Sequence, residues 1–257
     1  MKRVLTQLAM LLLSICSAAA AAPPDAQQML AACDAIRNPA RPFRLKTALL
    51  DYRDSKQVGS NGLEVFSKLE ADSGQYANLI RFVSPARDLN KLMLKAGRDL
   101  WLYDPNNKAS IRTSPQQRLL GQVSNGDVVT TNLSREYHAV LVGDENIQDG
   151  EHQTCQCHKL NLTASVPEAT YSRIELWLNA ANAPIKAYFY AESGRLLKTA
   201  FYRHYQEELG VSRPTEIVII DGLMPTWITV MRFSDYAWYD VPDSWLRPEY
   251  FSSVKVE

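Results

Sequence analysis

Few residues in this 257-residue chain are placed to do chemistry. Cys155-Gln-Cys157-His158, with His152 just before it, gathers thiol and imidazole groups that could ligate a metal ion. Zinc sites usually bring two spaced ligand pairs, and the sequence offers no second pair. His138 and His204 complete the four histidines, and none sits in a nucleophile motif such as G-x-S-x-G. Asp54-Ser55 and Asp243-Ser244 are turn-like pairs without an identifiable base. Gly59-Ser60-Asn61-Gly62 is too short for a phosphate cradle and joins two strands rather than a strand and a helix. Asn132 and Asn161 each begin an Asn-x-Ser/Thr triplet that reads as chance. The chain is therefore expected to be no enzyme and to carry no metal and no cofactor.

The N-terminus reads as a secretory signal peptide. Lys2 and Arg3 precede an apolar run from Val4 to Ile15, and Ala18 to Ala22 supply small residues ending in an A-x-A pattern, placing cleavage near Ala22. The run is shorter than the roughly 20 residues that cross a bilayer. Ile15 before Cys16 argues against lipidation there, because lipoprotein signals place a small residue before the cysteine. Without residues 1–22, Cys33, Cys155 and Cys157 remain, an odd number, so at least one thiol stays free or pairs between molecules. A bridge from Cys33 to Cys155 or Cys157 suits an oxidising compartment and would tie the first helix to a strand. Sequence does not report the Cα separation that such a bridge needs.

Removing Lys2 and Arg3 leaves 26 basic against 28 acidic residues. A near-neutral chain without a basic block argues against nucleic acid as partner. No later stretch is apolar for long enough to span a membrane, so the mature chain is expected to be soluble, with residues 23–257 forming one domain because no linker divides them.

The elements that position these residues are mostly strands. Ala26, Met29, Leu30, Cys33 and Ile36 form an apolar stripe, predicting a helix over Pro23 to Arg37 that ends at Asn38-Pro39. From Pro42 the period becomes two: Phe43, Leu45, Thr47 and Leu49 share one face, and Leu63, Val65, Ser67 and Leu69 alternate after a turn placed at Gly59 to Gly62. A meander follows over Leu79 to Val83, Leu89 to Leu94 and Asp99 to Tyr103, with a short strand at Ile111-Arg112. Pro115 to Leu120 and Asp127 to Leu133 read as loosely helical. Strands then recur at Tyr137 to Val142, Gln153 to Leu162, Tyr171 to Leu178, Ile185 to Ala191, Leu196 to Tyr205, Thr215 to Ile220 and Thr226 to Phe233. About eleven antiparallel strands with one long helix predict a mostly β fold, a large curved sheet closing into a half-open barrel covered by helices.

The order "LWLYDP", then "IR", then a Gly-containing segment, followed by "YSRIELWLN", "PIKAYFY", "GRLLKTAFY", "RPTEIVIID" and "TWITVMRF", resembles the outer-membrane lipoprotein-sorting (LolA-like) proteins over nearly all of the mature chain. The chain departs from the family's "GSDFxYED" signature, reading Gly121-Gln122-Val123-Ser124-Asn125-Gly126-Asp127, where Gly121 and Asp127 are the correspondences. The resemblance implies a periplasmic carrier that takes acyl chains of lipoproteins or lipids into a hydrophobic cavity, with an inner-membrane transporter or an outer-membrane acceptor as further partners. A sensor or adaptor that binds a membrane protein once lipid occupies it is the alternative, and the lack of a further domain after residue 257 weighs against it. Several strands carry large apolar side chains on both faces, which a ligand space between sheet and helices would bury. The candidate ligand-binding residues are Trp101, Tyr103, Trp177, Phe189, Phe201 and Trp227 on the strands. Leu119 and Leu120 join them from a weakly packed cover over Pro115 to Leu133, with Gly121 and Gly126 as loose joints.

Overall fold

A computed structural model describes residues 25–254. The proposed signal peptide, its cleavage site and Cys16 lie outside the described residues. Asp25 accepts a hydrogen bond from the Gln27 backbone and caps helix α1 (Ala26–Arg37), which turns Met29, Leu30 and Cys33 inward. Asn38 ends the helix ahead of Pro39, as a residue before proline disfavours helical backbone.

Six strands lead from the helix to the cover, β1 (Phe43–Arg53), β2 (Lys56–Leu69), β3 (Tyr76–Ser84), β4 (Leu92–Ala96), β5 (Asp99–Asp104) and β6 (Ala109–Thr113), and two short ones lie within it, β7 (Arg118–Leu120) and β8 (Val123–Ser124). A one-turn helix α2 (Leu133–Glu136) precedes β9 (Tyr137–Gln148), β10 (Thr154–Ala164), β11 (Arg173–Leu178), β12 (Pro184–Tyr190), β13 (Leu196–Glu208), β14 (Val211–Asp221) and β15 (Trp227–Trp238). Thirteen of these strands form one antiparallel sheet in the order β6-β5-β4-β3-β2-β1-β15-β14-β13-β12-β11-β10-β9, and β7 pairs with β8. The fold is thus the expected mostly β one, with a sheet of 13 strands rather than about eleven. The sheet is open: β6 and β9 are its two edges.

That order has a consequence for the cover. The chain runs from one edge strand, β6, to the other, β9, through residues 114–136, so this connection must cross the open side. One apolar cluster draws on strands from both halves of the sheet, from Leu100 through Leu49 to Leu160, together with Leu30 of α1 and Val123, Val128 and Val129 of the crossing segment. A sheet whose strands share one core across its whole width is wrapped around that core, as accumulated strand twist permits.

The structure corrects three readings of local structure. The first hairpin turns at Asp54 and Ser55, both with positive φ (47° and 64°), between the paired residues Arg53 and Lys56. This is a two-residue turn of the kind that matches strand twist. Gly59 to Gly62 lies inside β2, and Gly62 is there for closeness: a Cβ would stand 2.7 Å from Ser84 Oγ. Residues 115–120, expected as loosely helical, are extended into β7, and residues 127–133 hold only the end of a 3-10 turn and the start of α2.

The outer face of β2 to β5 carries a second apolar strip, Phe66, Leu79, Leu94 and Tyr103, which the C-terminal segment covers with Val241, Trp245 and Phe251. Cys33 lies in the inner core, whereas Cys155 and Cys157 neighbour each other along β10 with their sulfurs 2.7 Å apart. All three are free thiols, so no bridge ties α1 to β10. Burial pushes the Cys33 and Cys157 thiols up to about 12.

Candidate ligand cavity

Alternation along each strand decides which side chains face the enclosed space. On β13 Lys198, Ala200 and Tyr202 point inward, on β12 Ala187 and Phe189 do, and on β15 Thr229 and Met231 do. Of these, Phe189, Lys198, Ala200, Tyr202 and Met231 border a void of about 70 Å³ beneath the crossing segment, with Val129, Ile174 and Ile219 adding to its apolar side and Arg37, Asp127 and Glu136 to its polar one. A neighbouring void of about 90 Å³ lies against Phe43, Leu45, Val65 and Phe233. Arg37, Asp127, Val129, Tyr202 and Ile217 border both.

The crossing segment is tightly held. Val123 is fully buried, and Gln122, Asn125, Val128 and Val129 are nearly so. An irregular segment at such depth must have its backbone polar groups paired, and the wall supplies side chains to do it. Asn78 accepts from the Thr130 N–H and donates to the Thr130 carbonyl. Gln75 does the same for Asn132, Asn38 donates to the Thr131 carbonyl, and Asp34 accepts from the N–H groups of Leu133 and Ser134. Thr229 Oγ1 accepts from the Gln122 N–H while donating to Asp51, which also accepts from Trp227 Nε1. Gly121 (φ 54°) packs onto this pair so closely that a Cβ would stand 2.2 Å from both Asp51 Oδ1 and Thr229 Oγ1. A Cβ on Gly126 would meet Thr170 Oγ1 at 2.0 Å. These glycines are close approaches between cover and wall, not loose joints, and the expectation of a weakly packed cover gives way to one that is part of the core.

A charged group closes the middle of this interface. Lys198 donates to Asp127 and, at 2.9 Å, to the Gln122 carbonyl, while Tyr171 Oη donates to the other oxygen of Asp127 at 2.6 Å. Burial holds the Lys198 ammonium below the ordinary lysine range against the pull of Asp127, and the nearby charge of Arg118 pushes the same way. Tyr171 is raised well above a free phenol, by burial first and then by Asp127. At the other end burial raises the carboxyls of Asp34 and Glu136.

The eight predicted site residues are divided rather than gathered. Phe189 lines the inner void, and Leu119 and Leu120 lie half-buried against the main core. Trp227 faces inward at the rim, with the Arg53 guanidinium 3.9 Å and that of Arg118 4.6 Å from its ring. Trp101 and Tyr103 occupy the outer face; Tyr103 is stacked on Phe251 and Trp101 lies under Arg112. Trp177 and Phe201 also face outward: Trp177 donates to Glu145 between Lys159 and Lys186, and Phe201 packs under Gly150. The polar residues Lys198, Asp127, Asn78 and Asp51 were not among the predicted ones. For Lys198, Asn78 and Asp51 the signal is a polar residue in phase with the buried positions of an apolar strand, as Lys198 is with Ala200 and Tyr202; Asp127 lies on a 3-10 turn without such a pattern. No group of three or more metal-ligating side chains occurs among the described residues.

A family model described only as an uncharacterized protein matches residues 74–253. A LolA superfamily protein from Nitrosomonas europaea is 33% identical over 89% of this chain and all of its own, with a TM-score of 0.78. A DUF1329 family protein from Desulfovibrio piger (21% identity, 88% of this chain, 97% of its own, TM-score 0.74) shares the fold. So does a domain named for outer membrane lipoprotein sorting from Vibrio parahaemolyticus (16% identity, 88% and 98%, TM-score 0.74). No curated protein sequence matches the chain.

Proposed function

The chain belongs to the LolA superfamily, and from that premise we propose that it is a periplasmic, non-catalytic carrier of acyl chains, from lipoproteins or lipids, between membrane components. The observation that carries this reading is the space between the concave face and the crossing segment, walled on its apolar side by Val129, Ile174, Phe189, Ala200, Ile219 and Met231, with Arg37, Asp127, Glu136 and Lys198 at its border. Burying ten methylenes contributes about 8 kcal/mol, near micromolar affinity before ordering costs. Such affinity holds cargo yet releases it to a tighter acceptor, and a carrier cannot shift an equilibrium beyond its differential affinity for the two states.

The two voids, about 70 and 90 Å³, are smaller than the roughly 300–1,000 Å³ of ordinary ligand pockets. Entry of an acyl chain therefore requires the cover to move, which makes the polar contacts of Asn78, Gln75 and Lys198 the gating elements of this reading. Calorimetric titration of the purified protein with dodecanol and lauric acid should give saturable binding, and a mass spectrum of co-purifying lipids should show acylated species. Absence of saturable binding for every acylated ligand would remove the physical basis of the carrier.

A further inference from the structure

Outside the cover lies a second, larger space. An open groove of about 400 Å³ runs along the rim between the β7–β8 hairpin, the start of β13 and the loop joining β14 to β15. Lys198 and Tyr171 border both this groove and the inner void, so they form the partition between the two.

The groove is cationic where it is polar. Arg118 and Arg195 border it without an ion pair among the described residues, while Lys198, also at its border, is neutralised by Asp127. The only carboxylate among the described residues bordering it, Asp221, uses one oxygen to accept from the N–H groups of Leu223 and Met224. Gln122 also borders the groove, and its Nε2 is a buried donor without a partner. The opposite side is apolar and wet: Leu223 is 71% exposed and Met224 52%.

We infer that this groove is a head-group site for anionic amphiphiles, a phosphate or carboxylate attached to an acyl chain. The inference rests on the carrier reading and adds the chemical class of the cargo. Arg118 and Arg195 hold the anion by charge-assisted hydrogen bonds, and Leu223 and Met224 cover the first methylenes. The partition at Lys198 then sets the point where the chain passes from groove to inner void, so head and tail are recognised in adjacent compartments.

The experiment compares dodecyl phosphate, dodecanol and inorganic phosphate on the full mature chain and on an Arg118→Gln/Arg195→Gln variant, with circular dichroism to confirm that the variant is folded. Both arginines are exposed, so folding should be retained. Dodecyl phosphate should bind the unmodified protein at least about tenfold more tightly than dodecanol, a preference that shrinks with added salt and disappears in the double variant while dodecanol affinity stays unchanged. Equal affinities for the two amphiphiles would overturn the head-group site and leave the carrier intact. Binding of inorganic phosphate as tight as that of dodecyl phosphate would reassign the groove to a free anion. No binding of either amphiphile would overturn both readings.

Discussion

Lys198 on the concave wall and Asp127 in the crossing segment form an ion pair in which the lysine is 3% exposed and the aspartate 13%. The pair joins the cover to the wall where the inner void and the outer groove meet, so its strength sets how readily either compartment opens to the other. Replacing one member leaves the second charge buried without its partner, which typically costs about 3–5 kcal/mol, whereas replacing both removes the charge altogether. Lys198→Met should therefore destabilise the protein strongly in urea unfolding and raise hydrogen exchange over residues 122–131. Lys198→Met with Asp127→Asn should recover much of the loss. Equal destabilisation by the single and double variants would show that the pair contributes packing rather than charge.

Glu136 gives a pH-dependent counterpart. Burial raises its carboxyl above the ordinary range, with Lys95 3.8 Å away offsetting part of the effect, and Gln75 Nε2 donates to it. A carboxyl whose folded pKa lies above its unfolded one contributes stability below the unfolded value, and that contribution is lost as pH rises through the folded value. Glu136→Gln keeps an acceptor for Gln75 and removes the charge. Its Tm should match that of the parent near pH 4, about the ordinary glutamate value, and exceed it as pH rises through the raised folded value. A constant difference across this range would mean that the carboxyl ionises in the fold as easily as in the unfolded chain.

How far the sequence discloses this arrangement differs from feature to feature. The strands from Leu79 to Tyr103 and from Tyr171 to Phe233 announce themselves through alternation and turn residues, and the aromatic series carries the family resemblance. Alternation distinguishes two faces but does not say which one is enclosed. Tyr103 and Trp101 look like cavity residues until the C-terminal segment is seen folding back over the outer face, a contact across nearly 150 residues that no local pattern encodes. The turn at Asp54-Ser55 lost to the stronger glycine signal five residues later, where glycine serves strand contact instead. The cover was found by position and misread in character: its polar residues suggest a solvated lid, yet their backbone is met by Asn38, Gln75 and Asn78, side chains whose purpose emerges only once the sheet closes.

Tyr103 separates the two faces experimentally. Its ring stacks on Phe251 at 5.2 Å between centroids and is 6% exposed, so Tyr103→Ala opens a cavity in the outer strip. Aromatic truncations of this kind cost about 3–5 kcal/mol. Stability should fall by this order while lauric acid affinity, measured where the variant is folded, stays unchanged. Phe189→Ala should do the reverse in kind, altering affinity as well as stability, because its ring borders the inner void. Loss of lauric acid binding in folded Tyr103→Ala would place the acyl site on the outer face.

If an acyl chain enters only when the cover moves, fixing the cover should abolish entry without touching the cavity wall. Gly126 and Thr170 offer the means: a Cβ built on Gly126 lies 3.0 Å from the Thr170 Cβ, somewhat closer than the roughly 3.5–4.5 Å that a disulfide spans. Gly126 is not among the glycines with positive φ, so a cysteine there meets no backbone penalty beyond a small separation of the two loops. In a background with Cys33, Cys155 and Cys157 replaced by alanine, Gly126→Cys/Thr170→Cys should bind lauric acid when reduced and fail to bind it when oxidised, with binding restored by dithiothreitol. The comparison is internal to one protein, so mutation of the wall, loss of the natural thiols and altered expression cancel between the two states. Full binding in the oxidised form would mean that the chain reaches the inner void past a cover that stays shut at this point, and the opening would then have to be sought at the β7–β8 end, where Gly121 docks on Asp51 and Thr229.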